Sequence, residues 1–173
     1  MKIEINKTIR GNILDIGGGG EGIIGQAYQG QVTAIDNRQE ELDEAPEGFK
    51  KILMDASNIT FHNNSFDNVT AFYSLMYMNK KVQESVIMEA ARVLRAKGKF
   101  HIWDAEIESA YPIPYVVDLD INANGKHVHT SYGIIKDNAK QNAEFFIELC
   151  KKAKLHLLEC KRMDKHFYIR LEK

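Results

Sequence analysis

Three carboxylates and a run of glycines are the residues of this chain whose types and spacing could bind a nucleotide-like ligand. Asp15 stands just before four consecutive glycines, 17–20, in the stretch ILDIGGGGEGIIG. Glycine costs backbone entropy and adds nothing to a core, so the run indicates that another group lies against bare main chain. A second acid, Asp36, ends the apolar run QVTAID, and a third, Asp55, follows KKILM.

The glycine run also satisfies a known nucleotide-binding pattern. Gly17, Gly19 and Gly22 fit GxGxxG between a strand-like run and a helix-like run, a loop that turns the chain sharply and exposes backbone to a ligand. Asp36 supplies a carboxylate that can accept hydrogen bonds from the two hydroxyls of a ribose. The loop lacks the GK[ST] ending of a P-loop, which excludes that class of site. The layout fits two cofactors, a nicotinamide dinucleotide and S-adenosylmethionine.

The elements that must position these residues alternate along the chain. Apolar strand-like runs are separated by helical patterns, which is typical of a parallel α/β sheet. The predicted parallel strands are 12–16, 31–36, 50–56, 66–75 and 99–107, and the longer predicted helices are 80–96 and 138–153. Two further strands are expected after residue 154. We therefore predict one domain over 1–173, a Rossmann-like doubly wound sheet with an antiparallel C-terminal edge.

An inserted β-hairpin is predicted at about residues 115–135. Asn124-Gly125 between two alternating runs is a strong signal for a two-residue turn. Antiparallel pairing places four polar side chains on one face: Asp118, Asp120, His127 and His129. This set could bind a divalent metal, but it is more typical of a solvated polar face. We predict no metal site and keep His129 as a candidate substrate contact.

The other face of the hairpin is apolar and could cover a ligand. Only about ten residues precede the first predicted strand of the sheet, so we expect no N-terminal helices over the glycine loop. We expect segment 111–135 to supply the cover instead. It would fold over its own active site or over a partner's in a homodimer.

Five segments, in order, resemble the class I S-adenosylmethionine-dependent methyltransferases, especially the small-molecule enzymes of that class. They are DIGGGGEG, AIDN, MDASNITF, NNSFDNVTAFYSL and EAARVLRAKGKF, and together they cover about residues 12–104. In the last segment Lys97 stands where the family usually has a proline. The resemblance implies S-adenosylmethionine as cofactor and methyl transfer by in-line displacement to a small-molecule acceptor that the sequence does not identify.

The resemblance also implies a role for each residue of the motifs. The expected cofactor-binding residues are Asp15, Gly17 and Gly19 at the methionine end, Asp36 and Asn37 at the ribose and adenine, Asp55 and Ala56 at the adenine, and Tyr73 and Ser74 where donor and acceptor meet. Tyr77 and Met78 are candidate acceptor contacts. Asp104, toward the end of the fifth predicted strand, is the candidate acid/base or orienting group. Each also has a structural interpretation: Asp36 and Asp55 could cap a helix or a turn, Tyr77 and Met78 could pack, and Asp104 could end an exposed strand.

Composition and short motifs restrict the classes of binding partner and the cellular compartment that we expect. The formal net charge is −1, which argues against a protein that grips a phosphate backbone. Enzymes of this fold that methylate nucleic-acid amino groups carry [N/D]PP[Y/F] after the fourth strand, whereas this chain has YSLMYMN. Two cysteines make no disulfide framework, and no signal peptide or apolar run of about 18 residues is present. We expect a cytoplasmic protein without a membrane span and do not expect nucleic acid as a partner.

Two other functions remain open from the sequence. Asp36 lies about 20 residues beyond the first glycine, as the fingerprint of NAD(P)-dependent oxidoreductases also requires. However, the sequence shows no evident pair of tyrosine and lysine, or of histidine and an acid, that could catalyse hydride transfer. The third interpretation is a non-catalytic S-adenosylmethionine-binding module.

Overall fold

The structure is a computed structural model that describes residues 2–109 and 111–173. Its strands are β1 (Lys2–Ile5), β2 (Ile13–Ile16), β3 (Val32–Asp36), β4 (Lys50–Leu53), β5 (Phe66–Phe72), β6 (Leu94–Ala105), β7 (Tyr115–Ala123), β8 (Lys126–Ile134), β9 (His156–Met163) and β10 (His166–Glu172). Its α-helices are α1 (Ile23–Tyr28), α2 (Gln39–Glu44), α3 (Lys80–Val93) and α4 (Ala143–Lys152). Within the described ranges, no helix is long and apolar enough to cross a membrane.

The larger sheet has seven strands in the order β4-β3-β2-β5-β6-β10-β9. The pairs from β4 to β6 are parallel, and β10 pairs antiparallel with both β6 and β9. This confirms the predicted Rossmann-like sheet with its antiparallel C-terminal edge. The chain runs outward through β2, β3 and β4 and then returns to β5 beside β2. Ligands of such sheets bind at this switch point, at the carboxyl ends of the strands.

Apolar burial on both faces holds the sheet in place. All four residues of β2 are buried, as expected for a central parallel strand. On one face, a core of strand residues and residues of α3 and α4 includes Phe100, Phe146 and Phe167. The other core joins α1 to the hairpin strands. The carboxyl end of β2 is therefore fixed from both sides.

The smaller sheet has the order β1-β7-β8. The strands β7 and β8 form the predicted hairpin, and its turn residues Asn124 and Gly125 both have positive φ. Apolar side chains such as Leu119 and Ile121 are buried, which confirms the predicted apolar face. The strand β1 pairs in parallel with β7 and has no counterpart in the sequence-based prediction.

Two helix boundaries differ from the prediction. The helix α3 begins where the Asn79 side chain accepts from the backbone N–H of Val82, but it ends at Val93 rather than at residue 96. Leu94 already pairs with Phe66 in the sheet, so the strand takes over directly from the helix. The helix α4 begins at Ala143, five residues later than predicted, because the side chain of the preceding asparagine caps its first turn.

Candidate functional site

A cavity of about 590 Å³ lies at the carboxyl ends of the parallel strands, next to the switch point. Its volume is in the ordinary range for small-ligand pockets. Most of the residues predicted from the sequence line it: Gly17, Gly19, Asp36, Asn37, Asp55, Ala56, Tyr73, Ser74, Tyr77 and Met78. The structure therefore brings together residues that are up to 61 positions apart in the chain. Asp15, Asp104 and His129 do not line it.

The glycine loop has no room for side chains at two positions that face the cavity. A Cβ on Gly17, whose φ is +68°, would lie 2.4 Å from the Cβ of Ser74. A Cβ on Gly19 would lie 2.6 Å from the Cβ of Glu41. The backbone N–H of Gly17 also donates to the carbonyl of Ile35 at 2.8 Å, which ties the loop to the end of β3. The glycines thus present bare main chain to the cavity, as the sequence predicts.

Asp15 lies beneath the loop rather than in the cavity, which corrects the expectation that it contacts a ligand directly. It is only 2% exposed, and its Oδ1 accepts from the hydroxyl of Thr70 at 2.6 Å. Burial raises the pKa of Asp15 to about 7. A Cβ on Gly18 would come within 2.5 Å of the Asp15 Oδ2. The acid therefore supports the glycine loop from below.

Asp36 and Asp55 each accept hydrogen bonds in a local turn and also line the cavity. The Oδ1 of Asp36 accepts from the backbone N–H of Arg38 at 3.0 Å. The Oδ1 of Asp55 accepts from both the N–H and the hydroxyl of Ser57 at 2.8 Å. Each acid thus caps its own turn and also lines the cavity. Within the described ranges, no bond is made to the Oδ2 of either acid, so each keeps an oxygen for a ligand.

Tyr73 and Ser74 mark the point where β5 ends at the cavity. Tyr73 has a φ of +49°, which is rare for a bulky residue and is concentrated at functional sites. Its N–H donates to the carbonyl of Trp103 at 2.8 Å. The hydroxyl of Ser74 donates to the carbonyl of Ile16 at 2.7 Å. The ends of β2, β5 and β6 are therefore held together around the cavity.

The hairpin covers this chain's own cavity. Tyr132 of β8 lines the cavity, and its ring stacks on Tyr73 with centroids 5.4 Å apart. The hydroxyls of Thr130 and Tyr132 donate to the two carboxylate oxygens of Glu21, the residue that follows the glycines. Glu21 and Tyr132 are site residues that the sequence analysis did not select. Their signals were present, because Glu21 adjoins the glycine run and Tyr132 lies on the apolar face of the hairpin.

Asp104 is neither in the cavity nor at an exposed strand end, so both expectations for it are corrected. It is fully buried and accepts from the N–H groups of Met76 at 3.2 Å and Ala105 at 2.7 Å. It also accepts from the Gln141 side chain at 2.7 Å. Burial raises the pKa of Asp104 to about 7. Its contact with Met76 fixes the turn that leads to Tyr77.

His129 lies on the solvent face of the hairpin, so the structure does not support it as a substrate contact. Its side chain is 72% exposed, and its Nδ1 lies 2.8 Å from the Oδ1 of Asp120. The register pairs these two residues directly, on the shared polar face that the sequence predicts. The apolar face turns inward, which leaves the polar face outside. Over 2–109 and 111–173, no group of three or more His, Cys, Asp or Glu could hold a metal ion.

Comparisons with known proteins agree with this geometry. A family model described as a methyltransferase domain matches residues 14–102, which extend from β2 to β6. A search of curated proteins gives no match.

Solved structures show the same fold. A protein from Pyrococcus horikoshii OT3 has a TM-score of 0.70 at 15% identity, over 96% of this chain and 84% of that one. A S-adenosylmethionine-dependent methyltransferase from Methanosarcina mazei has a TM-score of 0.66 at 16% identity, over 95% and 94%. A 1,6-didemethyltoxoflavin-N1-methyltransferase from Burkholderia thailandensis, with 1,6-didemethyltoxoflavin and S-adenosylhomocysteine bound, has a TM-score of 0.61 at 14% identity, over 95% and 72%.

Proposed function

This chain belongs to the family of S-adenosylmethionine-dependent methyltransferase domains, and we propose that it methylates a small-molecule acceptor by in-line displacement. The observation that carries the proposal is the covered cavity at the switch point, where the glycine loop, Asp36 and Asp55 meet. A cavity of about 590 Å³ under a hairpin suits a cofactor and a small acceptor better than a polymer. The absence of an [N/D]PP[Y/F] motif and the near-zero net charge point the same way.

The residues of the cavity fit the cofactor. Bare main chain at Gly17 and Gly19 leaves room for its methionine end, and the free oxygen of Asp36 suits the ribose hydroxyls. Asp55 would accept from the amino group of the adenine, with Ala56 packed beside the ring. The bound cofactor supplies an activated methyl group on a sulfonium, whose leaving group is neutral.

Because the neutral leaving group departs without acid catalysis, the protein contributes mainly by positioning the acceptor against the methyl group and by excluding water. Tyr73, Ser74, Tyr77 and Met78 all line the cavity. In this proposal Tyr73 and Ser74 would stand where donor and acceptor meet, and Tyr77 and Met78 would form the wall on the acceptor side. Tyr132 closes this region from above by stacking on Tyr73. A general base is required only for an acceptor that must lose its proton early.

The comparison structures and the family match bear on the alternatives. The enzyme from Burkholderia thailandensis holds 1,6-didemethyltoxoflavin, a small molecule rather than a polymer, together with S-adenosylhomocysteine, which supports a small acceptor for the present fold. The methyltransferase match over residues 14–102 disfavours the NAD(P)-dependent oxidoreductase.

The proposal is tested by titration calorimetry with S-adenosylmethionine and with NAD. We expect S-adenosylmethionine to bind and Asp36→Asn to weaken it roughly 10- to 100-fold, since a hydrogen bond to a charged group is lost. Asp43→Asn, an exposed acid of α2, is the matched control and should change nothing. Equal affinity in Asp36→Asn, or binding of NAD instead, would overturn the assignment of the cavity. A metabolite panel with labelled cofactor separates an enzyme from a non-catalytic module.

We also propose that the chain is one domain and that it acts in the cytoplasm.

A further proposal is that the chain forms a homodimer through the base of the hairpin. Four large apolar side chains in or next to that base are 60–65% exposed: Tyr111, Ile113, Val116 and Ile135. Patches of this kind commonly mark interaction surfaces. We expect sedimentation equilibrium to give a dimer for the native protein and a monomer for Val116→Asp. A native monomer would refute the homodimer.

A further inference from the structure

The cavity carries an excess of negative charge. Four carboxylates line it, namely those of Glu21, Asp36, Glu41 and Asp55, together with one cation, Arg38. Arg38 is already paired with Glu41 at 2.8 Å. Within the described ranges, no ion pair neutralises the other three. S-adenosylmethionine brings a net positive charge, which leaves the loaded cavity still negative.

Glu21 differs from the other acids in how it is held. Asp36 and Asp55 each accept from groups of their own turn. Within the described ranges, the carboxylate of Glu21 instead accepts only from hairpin hydroxyls, those of Thr130 and Tyr132. Neutral hydroxyls orient a carboxylate but leave its charge in place. Glu21 therefore presents a fixed, uncompensated negative charge where the hairpin closes over the cavity.

Aromatic rings stand in the same part of the cavity. Tyr132 stacks on Tyr73, which covers one face of its ring, and its hydroxyl donates to Glu21. Tyr77 also lines the cavity and is 51% exposed, which places it toward the mouth. A carboxylate beside tyrosine rings is a favourable environment for an ammonium group, through ion pairing and cation–π attraction. The same environment repels a carboxylate or phosphate.

We propose that the methyl acceptor is an amine, recognised in its ammonium form by the Glu21 carboxylate beside Tyr77 and Tyr132. This inference rests on the proposed function, because it names the substrate class of the same cavity. Glu21 and Tyr77 act as specificity-determining residues, and Tyr132 both orients Glu21 and supplies part of the aromatic wall.

The reaction balances without an added reagent. The ammonium first gives one proton to solvent water at the mouth of the cavity, which frees the nitrogen lone pair. That pair forms the N–C bond as the C–S bond breaks, and the electrons of the broken bond stay on sulfur. The products are a methylated ammonium, neutral S-adenosylhomocysteine and the released proton.

The test uses three compounds that share a ring and differ in charge: benzylamine, benzyl alcohol and benzoate. Each is titrated calorimetrically into the native protein saturated with S-adenosylhomocysteine, so binding is measured without turnover. We expect benzylamine to bind at least tenfold more tightly than either of the others. Glu21→Gln should weaken benzylamine at least tenfold and leave benzyl alcohol within about twofold. Glu44→Gln, an exposed acid of α2 outside the cavity, is the matched control.

A second pair of variants separates recognition by charge from simple closure of the hairpin. Tyr132→Phe and Thr130→Val remove the hydroxyls that hold Glu21 but keep the carboxylate, so benzylamine affinity should fall by less than fivefold. The contrary result is that these variants lower the affinity for all three compounds by as much as Glu21→Gln lowers the affinity for benzylamine. In that case Glu21 serves only to hold the hairpin closed, and the inference is overturned. Failure of benzylamine to bind, or tighter binding of benzoate, overturns it as well. If the native protein does not bind S-adenosylhomocysteine at all, the result would instead refute the proposed function.

Discussion

Asp104 is a buried carboxyl whose hydrogen bonds and protonation both affect stability. Its three donors come from the turn after β5, from β6 itself and from Gln141. In the folded state its pKa is about 7, whereas an unfolded aspartate titrates near 3.8. Between these values the folded protein holds a proton that the unfolded chain has released. The free energy of unfolding should therefore fall as pH rises from about 4 to about 7.

Asp104→Asn removes this titration and also replaces one accepting oxygen by a donor. At pH 5 we expect the variant to be less stable than the native protein by about 1–3 kcal/mol, because a buried donor loses its partner. At pH 8 this difference should shift by about 3 kcal/mol in favour of the variant, which then is as stable as the native protein or more stable. The reason is that ionisation of the buried native carboxyl is unfavourable, whereas the amide does not ionise. Urea unfolding at the two pH values measures both. Asp15 titrates in the same range but is common to both proteins, and a difference independent of pH would contradict the assignment.

Residue types and spacing predicted most of the cavity lining, but they did not predict which side chains at the strand ends are buried. Gly17, Asp36 and Asp55 line the cavity, and their position could be predicted because each follows a strand whose end is visible as an apolar run. Asp15 and Asp104 occupy similar positions in the sequence, yet both are covered, one by the glycine loop and the other by the Gln141 side chain. Which strand end is covered depends on contacts between distant segments, and local patterns carry no information about those.

The hairpin depends on a turn that favours positive φ at both central residues. Asn124 has a φ of +51° and Gly125 of +90°, and nothing lies within 4 Å of a Cβ added at Gly125. Replacing both by alanine should cost about 1–3 kcal/mol, since L side chains avoid this region and the cost is purely conformational. We expect amide exchange in β7 and β8 to accelerate at least tenfold while β2 and β5 stay protected.

The matched control for the turn is Gly30→Ala. Gly30 also has open space around its Cβ position but no positive φ, so its stability should change by less than about 0.5 kcal/mol. Equal exchange rates for the turn variant and this control would show that the hairpin does not rely on its turn.

Element boundaries were predictable where a local signal fixes them and not where tertiary pairing does. The hairpin and the five parallel strands follow from alternation, β-branched residues and Asn124-Gly125. The strand β1 is only four residues long and exists through its pairing with β7. The end of α3 likewise follows from the pairing of Leu94 with Phe66 rather than from its helical pattern.

Charge is distributed unevenly over the molecule. The whole chain has a formal net charge of −1, whereas its cavity holds four carboxylates and one arginine. A concave site lined by one sign of charge attracts ligands of the opposite sign, and salt screens that attraction. The same asymmetry underlies the proposed preference for an ammonium acceptor.

This asymmetry predicts that cofactor and product respond differently to salt. S-adenosylmethionine is net positive, whereas S-adenosylhomocysteine is net neutral and of nearly the same shape. Raising the ionic strength from 0.1 M to 1 M shortens the Debye length from about 10 Å to about 3 Å. We expect the affinity for S-adenosylmethionine, measured by calorimetry, to fall roughly three- to tenfold and that for S-adenosylhomocysteine to change less than about twofold. Parallel changes for the two ligands would mean that the uncompensated carboxylates of Glu21, Asp36 and Asp55 do not act on the sulfonium.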